Sequence, residues 1–184
     1  MSALSELSPE NELARIATFY MEHIGFDLTG KGLGIDLTDE ISGRLSFNVG
    51  KVEVCDHKVI FSIDNRVPVT YRCAQVQELI QKQLIGSGFR FENPYATESI
   101  HVPEDSFLVQ TLMESYRNVT GDMSAKPLVD GACSYARALD KCVAFGALLP
   151  DQPDLMHQTN ECLELDKLDL WMKIYLDAIY RLAK

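Results

Sequence analysis

Apolar residues recur at Leu13, Ile16, Ala17, Tyr20 and Ile24, with polar residues between them, and this spacing predicts a helix from about Pro9 to Ile24. Asp27 to Glu40 is rich in Gly, Asp and Thr and predicts a loop or a short extended piece. The period then shortens. Arg44 to Asn48 and Val52 to Cys55 read as strands, with turn chemistry in Asn48-Val49-Gly50-Lys51 between them. His57 to Asn65 reads as a third strand, with Val59, Phe61 and Ile63 alternating against polar neighbours until Pro68 ends it. A helix follows over about Ala74 to Leu84, stopped by Gly86, and Phe89 to Glu92 begins a further strand. This order predicts an α+β layer, an antiparallel sheet with helices on one face.

A second block starts at Pro103-Glu104-Asp105. Asp105 is placed to cap a helix whose apolar stripe is Leu108, Val109, Leu112, Tyr116 and Val119, closed by Gly121. Pro127-Leu128-Val129 is a short strand candidate. Tyr135 to Leu139 reads as a helical turn or two, and Cys142 to Leu148 as a buried strand. In the final helix Asp166 is the expected N-cap, and Leu168, Trp171, Tyr175, Ala178, Ile179 and Leu182 form one apolar face. There is no internal repeat and no low-complexity linker.

Composition narrows the class. With 184 residues, 46% apolar and 24% charged, this is an ordinary globular composition, enough for one or two domains with a sizeable core. A net charge of −10 argues against a nucleic-acid partner, because neutralising phosphates takes a surplus of Lys and Arg. No apolar run approaches the roughly 20 residues that span a bilayer, so no membrane segment is expected. Met1-Ser2-Ala3-Leu4-Ser5-Glu6 lacks the basic start and apolar core of a secretory signal, so the cytoplasm is the expected compartment. Five cysteines without a paired CxxC spacing argue against a disulfide framework or a zinc knuckle, and read as small buried thiols.

Candidate chemistry is sparse on spacing alone. Of four histidines, His157 stands in a polar loop, Pro153 to Glu161, that could aim its ring at a metal or a reacting group. No second ligand stands at a metal-site interval, and a solvated loop histidine is the simpler reading. Arg66 ends an alternating strand before Pro68, where a guanidinium could clamp a carboxylate or simply pair with Asp64 or Glu78. Arg137, after the turn at Gly131, could bind an anion or pair with Asp140. His23, His57 and His101 have weaker cases, and there is no P-loop, nucleophile elbow or GxGxxG cradle.

Taken in order, five segments resemble one family: Asp64-Asn65-Arg66-Val67-Pro68, His101 to Ser106, Gly131 to Arg137, Val143-Ala144-Phe145-Gly146, and Met156-His157-Gln158-Thr159-Asn160-Glu161. The closing Ile174 to Tyr180 fits as well. The chain is similar to the C-terminal part of dipeptidases of the PepV and Sapep type, in the zinc aminoacylase and carboxypeptidase superfamily. The resemblance implies a lid-like domain, used for dimerisation or as a substrate clamp, over residues 1–102. Residues 103–184 would be an incomplete α/β segment of the metallopeptidase catalytic domain. It implies that His157 ligates one of two neighbouring metal ions, zinc or manganese. Arg66 would grip the C-terminal carboxylate of a dipeptide substrate, and Tyr135 and Arg137 would line the substrate loop. Glu161 takes a supporting part rather than a ligand's.

The departures carry equal weight. In the family the other metal ligands, the general base and the oxyanion histidine precede the matched region, so a single imidazole of that set is expected here. No catalytic residue is therefore assigned. Ala132 and Cys133 stand where the family has small glycines, adding side chains where backbone must approach closely. A catalytic zinc ordinarily takes three protein ligands. The expectation is a fragment of a metal-dependent dipeptidase that is inactive alone and binds metal weakly. The alternatives are a non-enzymatic lid module that dimerises, and a subunit completed by a separate N-terminal chain.

Overall fold

The computed structural model describes residues 12–55, 58–92, 95–129, 131, 134–146 and 148–184. The chain divides into two compact units, Met1–Ser99 and Ile100–Lys184. Its described elements are four α-helices and two small antiparallel sheets, the expected α+β mix. No described helix is long and apolar enough to cross a membrane.

Unit 1 begins with α1 (Glu12–His23), whose apolar spacing puts Ala14, Ala17 and Phe19 inside. The chain turns at Gly25, where the N–H groups of Ile24 and Gly25 both reach the Tyr20 carbonyl. Asp27 then organises the next bend by accepting from the Thr29 N–H and hydroxyl, each at 2.8 Å, and from the Gly32 N–H at 3.0 Å. His23 is half-buried. Its Nδ1 lies 2.8 Å from the Gly32 carbonyl and its ring packs 4.7 Å from Phe19.

Two short strands follow, β1 (Thr38–Asp39) and β2 (Gly43–Arg44), and then the long hairpin of β3 (Ser46–Cys55) and β4 (Lys58–Arg66). The hairpin corrects the expected turn. Asn48 to Lys51 do not reverse the chain, because β3 runs straight through them with a register shift between Val49 and Lys51. Gly50 serves a bulge, the other use of an isolated glycine in a strand. The reversal comes after Cys55, which pairs with Lys58, and His57 lies outside the described residues. The alternation of Val59, Phe61 and Ile63 in β4 is as expected.

Beyond the hairpin comes α2 (Cys73–Gln83), with Val76 and Ile80 buried. Phe89 to Glu92 form no strand, although Phe89 stacks 3.9 Å from Phe19. The unit's core joins Phe19, Ile24, Leu33, Ile35, Leu45, Phe47, Val76, Ile80 and Leu84.

Unit 2 is helical. In α3 (Phe107–Thr120) the N-cap is Ser106 rather than Asp105: its hydroxyl accepts from the Val109 N–H at 3.3 Å. Gly121 closes the helix at φ 76°. Helix α4 (Leu165–Leu182) is capped at Glu164 rather than Asp166, which falls in the first turn, where its charge suits the helix dipole. The expected single apolar face of α4 divides in two. Trp171, Ile174 and Ala178 are buried, with Tyr116 of α3 6.2 Å from Trp171, whereas Leu168 and Ile179 are exposed. Neither Pro127 to Val129 nor the described residues of 142–148 form a strand. Positive φ at Lys141 and Gly146 interrupts the extended backbone a strand needs.

The thiols also differ from expectation. Cys55 and Cys162 are exposed and Cys73 and Cys142 half-buried, while Cys133 lies outside the described residues. Cys55 sits at the hairpin's end and Cys162 in the loop before α4, so neither reaches a core.

Two predictions follow from this packing. Asp39 ties the β1–β2 turn to the exit of β4: Oδ1 accepts from the Ile41 and Ser42 N–H groups and the Ser42 hydroxyl, and Oδ2 from the Thr70 N–H and hydroxyl. Desolvation raises its pKa, but the Ser42 and Thr70 bonds together outweigh it and hold the carboxyl far below the usual 3.8. A carboxylate depressed on folding stabilises above its unfolded pKa and loses that contribution as pH falls through the folded value. Asp39→Asn turns an amide donor toward other donors. It is expected to cost about 1–2 kcal/mol at neutral pH, with the gap to wild type closing only in strong acid, as read by denaturation at several pH values. At Gly146, φ is 101° and an added Cβ would run into the Tyr175 hydroxyl and meet Trp171 at 3.1 Å. Gly146→Ala is therefore expected to destabilise unit 2 by about 2 kcal/mol or more, seen as a lower midpoint in tryptophan fluorescence.

Candidate functional site

The loop around His157 is built by its own side chains. Asp154 Oδ1 accepts from the Met156 N–H at 3.0 Å, and the Asp154 carbonyl accepts from Gln158 Nε2 at 3.1 Å. The Glu161 carboxylate accepts from the His157 N–H at 3.2 Å, while the Gln158 and Glu161 N–H groups reach the Leu155 and Gln158 carbonyls. These bonds hold two successive tight turns. Asp154 and Glu161 are the loop's organisers, a role that spacing did not reveal for Asp154.

The backbone of this loop is strained. His157 and Asn160 both have φ of 64°, and Lys141 is the third positive-φ residue other than glycine among those described. Asparagine tolerates this region; histidine does so at a cost of about 1–2 kcal/mol. Such outliers concentrate at functional positions, where surrounding bonds over-determine the backbone. The imidazole itself is exposed, on a scaffold that fixes its Cα but leaves the ring to solvent.

Arg66 closes β4 opposite Ser46. Its guanidinium pairs with Asp64 at 2.9 Å and remains 38% exposed, so the simpler of its two alternatives is present and the fork is still partly open to solvent. The chain beyond it is fastened from several directions. Ser99 donates its hydroxyl to the Val67 carbonyl at 2.7 Å, Pro68 is buried, and the Ser42 hydroxyl accepts from the Val69 N–H at 2.9 Å. Together with the Asp39–Thr70 bonds, these fix the path of the backbone on which Arg66 stands.

Tyr135 and Arg137 share a 3₁₀ turn, Tyr135–Ala138. The Ser134 hydroxyl accepts from the Ala136 N–H at 3.3 Å, and the Arg137 N–H reaches the Ser134 carbonyl at 3.3 Å. Tyr135 is 97% exposed, whereas Arg137 is half-buried. No ion pair joins Arg137 to Asp140 among the described residues. Ala132 and Cys133, the departures in this loop, lie outside them. Nearby, Phe145 and Gly146 dock on α4: the Tyr175 hydroxyl donates to the Phe145 carbonyl at 3.0 Å, and burial raises the Tyr175 pKa.

Arg66 thus belongs to unit 1, and Tyr135, Arg137 and His157 to unit 2. Among the described residues, no three His, Cys, Asp or Glu side chains are grouped to hold a metal ion. A zinc centre takes three or four protein ligands. One exposed imidazole, with Glu161 engaged by the loop's backbone, does not by itself fit zinc or manganese.

Comparison with known proteins points in one direction. No family model matches the chain. It is 37% identical over 156 residues, 84% of its length, to a Staphylococcus haemolyticus protein named "putative dipeptidase". A Staphylococcus epidermidis protein of the same name is 34% identical over 155 residues. One from Staphylococcus aureus USA300 is 30% identical over 181 residues, 98% of the chain. The chain spans about a third of the length of these relatives, 33% of the first two and 38% of the third.

If the His157 ring has no structural task, removing it should relieve backbone strain. His157→Gly is expected to leave the fold intact and raise stability by about 0.5–1 kcal/mol. A fall in the thermal midpoint would instead assign the imidazole a packing role.

Proposed function

We propose that this chain is a portion of a metal-dependent dipeptidase of the PepV and Sapep type, supplying substrate contacts and one metal ligand to a site completed by other polypeptide. The observation that carries this is its similarity, over 84% of its length, to dipeptidase-named relatives of which it spans a third. Arg66 grips the substrate's terminal carboxylate with a guanidinium fork that matches two oxygens. Tyr135 and Arg137 line the substrate loop. His157 offers its imidazole to one metal, and the strained, internally bonded turn beneath it supports that part.

A lone imidazole neither holds a catalytic metal nor positions a base. The chain alone is accordingly inactive, and the cytoplasm suits a soluble peptide-degrading activity. Incubated with a panel of dipeptides and added zinc or manganese, the purified chain is expected to show no turnover. Turnover that disappears in His157→Ala would overturn this part of the proposal. The residue roles are tested in a chimera in which this chain replaces the matching third of the Staphylococcus haemolyticus relative. There, His157→Ala is expected to abolish activity. Arg66→Ala should lower kcat/KM about 10- to 100-fold, chiefly through KM, which corresponds to the roughly 1.5–3 kcal/mol of a charge-assisted hydrogen bond. A chimera indifferent to both substitutions would sink the assignment.

A further inference from the structure

Helix α4 has a second apolar face that no described residue of its own unit covers. Leu165, Leu168, Met172, Leu176 and Ile179 are 80%, 41%, 61%, 71% and 65% exposed. At 3.6 residues per turn they fall within about 80° of arc, roughly 130° around the helix from buried Trp171, Ile174 and Ala178. A helix apolar on two separate faces is built to be covered on both.

The spacing within this stripe says what covers it. Its steps are 3, 4, 4 and 3 residues, the same in either direction from Met172. A two-fold interface requires a self-complementary patch, in which residue i meets j and j meets i. Two copies of α4 laid antiparallel about Met172 satisfy this. Leu165 meets the second copy's Ile179, Leu168 meets its Leu176, and Met172 meets itself on the axis.

Charge agrees with that register. Asp169 and Lys173 lie on the same flank of the stripe, either side of its midpoint, and pair at 2.7 Å within one helix. In the antiparallel arrangement Asp169 of each copy lies within about 3 Å, along the axis, of the other copy's Lys173. Two intrahelical pairs become a reciprocal four-member network. We propose that α4 is a dimerisation helix through which two copies of this chain associate, antiparallel, about Met172. The contact is modest: a helix face about 27 Å long buries on the order of 1,000 Å² in total, near the lower limit for specific association. A micromolar dimer is the expected strength.

Sedimentation equilibrium of the whole chain, over a series spanning the micromolar range, tests this. A monomer–dimer equilibrium is expected, and Met172→Glu, which sets two carboxylates against each other on the axis, should weaken it at least about tenfold. Ile85→Glu, at an exposed apolar position in unit 1, should leave it unchanged. Unaltered Trp171 fluorescence shows that Met172→Glu still folds. Should it not, Met172→Cys offers a second readout, an oxidative cross-link mapped by peptide mass to position 172 in both copies. A monomer at every concentration, a dimer indifferent to Met172→Glu, or a monomer that takes up only a polypeptide carrying the remaining two thirds of a dipeptidase relative would each overturn the proposal.

Discussion

Burial of Trp171 and Ile174 against α3 is the interaction on which the C-terminal half of the chain depends. Unit 2 has no sheet among its described residues, so its core is a contact between two helices, filled by Tyr116, Leu149, Trp171 and Ile174. Phe145 closes one side, edge-on to Trp171 at 5.7 Å, with Tyr175 stacked 5.3 Å from the indole. The described residues between α3 and α4, including the Tyr135 turn and the His157 loop, are largely irregular chain tied to that contact at a few points. Phe145 and Gly146 form one such tie and the buried Leu149 another. Side chains on this segment can be presented to a ligand because so little of the segment is consumed by packing.

Unit 1 solves the opposite problem. Its core is larger and draws on α1, β3, β4 and α2, and the polar side chains near Arg66 bond to backbone as well as to one another. Asp39, Ser42 and Ser99 each direct at least one hydrogen bond to residues 67–70, the stretch just after the guanidinium. An arginine whose backbone is fixed by neighbours loses little freedom when its fork engages an anion, which is how a flexible side chain becomes a usable clamp.

How much of this was legible depended on the physical signal. The apolar stripes of α1, α3 and α4, and the alternation of β4, announced themselves through periodicity, while α2 was placed by the glycine that stops it. The hairpin turn did not, because Asn48 to Lys51 carry turn residues while strand pairing with β4 continues past them, and pairing across ten residues outweighs a local preference. Cys142 to Leu148 looked like a strand because a short apolar run has no period to distinguish strand from coil. Spacing alone left His157, Arg66 and Arg137 with bland alternatives, and for Arg66 the Asp64 pair exists. Only several short segments read in order raised them above that level. What no pattern could reveal was the left-handed backbone at His157, since it arises from bonds made by Asp154 and Glu161 to the residues between them.

The placement of the indole has an optical consequence. The chain contains one tryptophan, and it lies in the second of two separately packed units. Emission excited at the red edge of protein absorbance therefore originates wholly from the helix pair, while the larger aromatic core of the first unit, built from phenylalanines and Tyr20, is silent there. A difference between the emission profile and far-ultraviolet dichroism during denaturation would measure how independently the two halves melt.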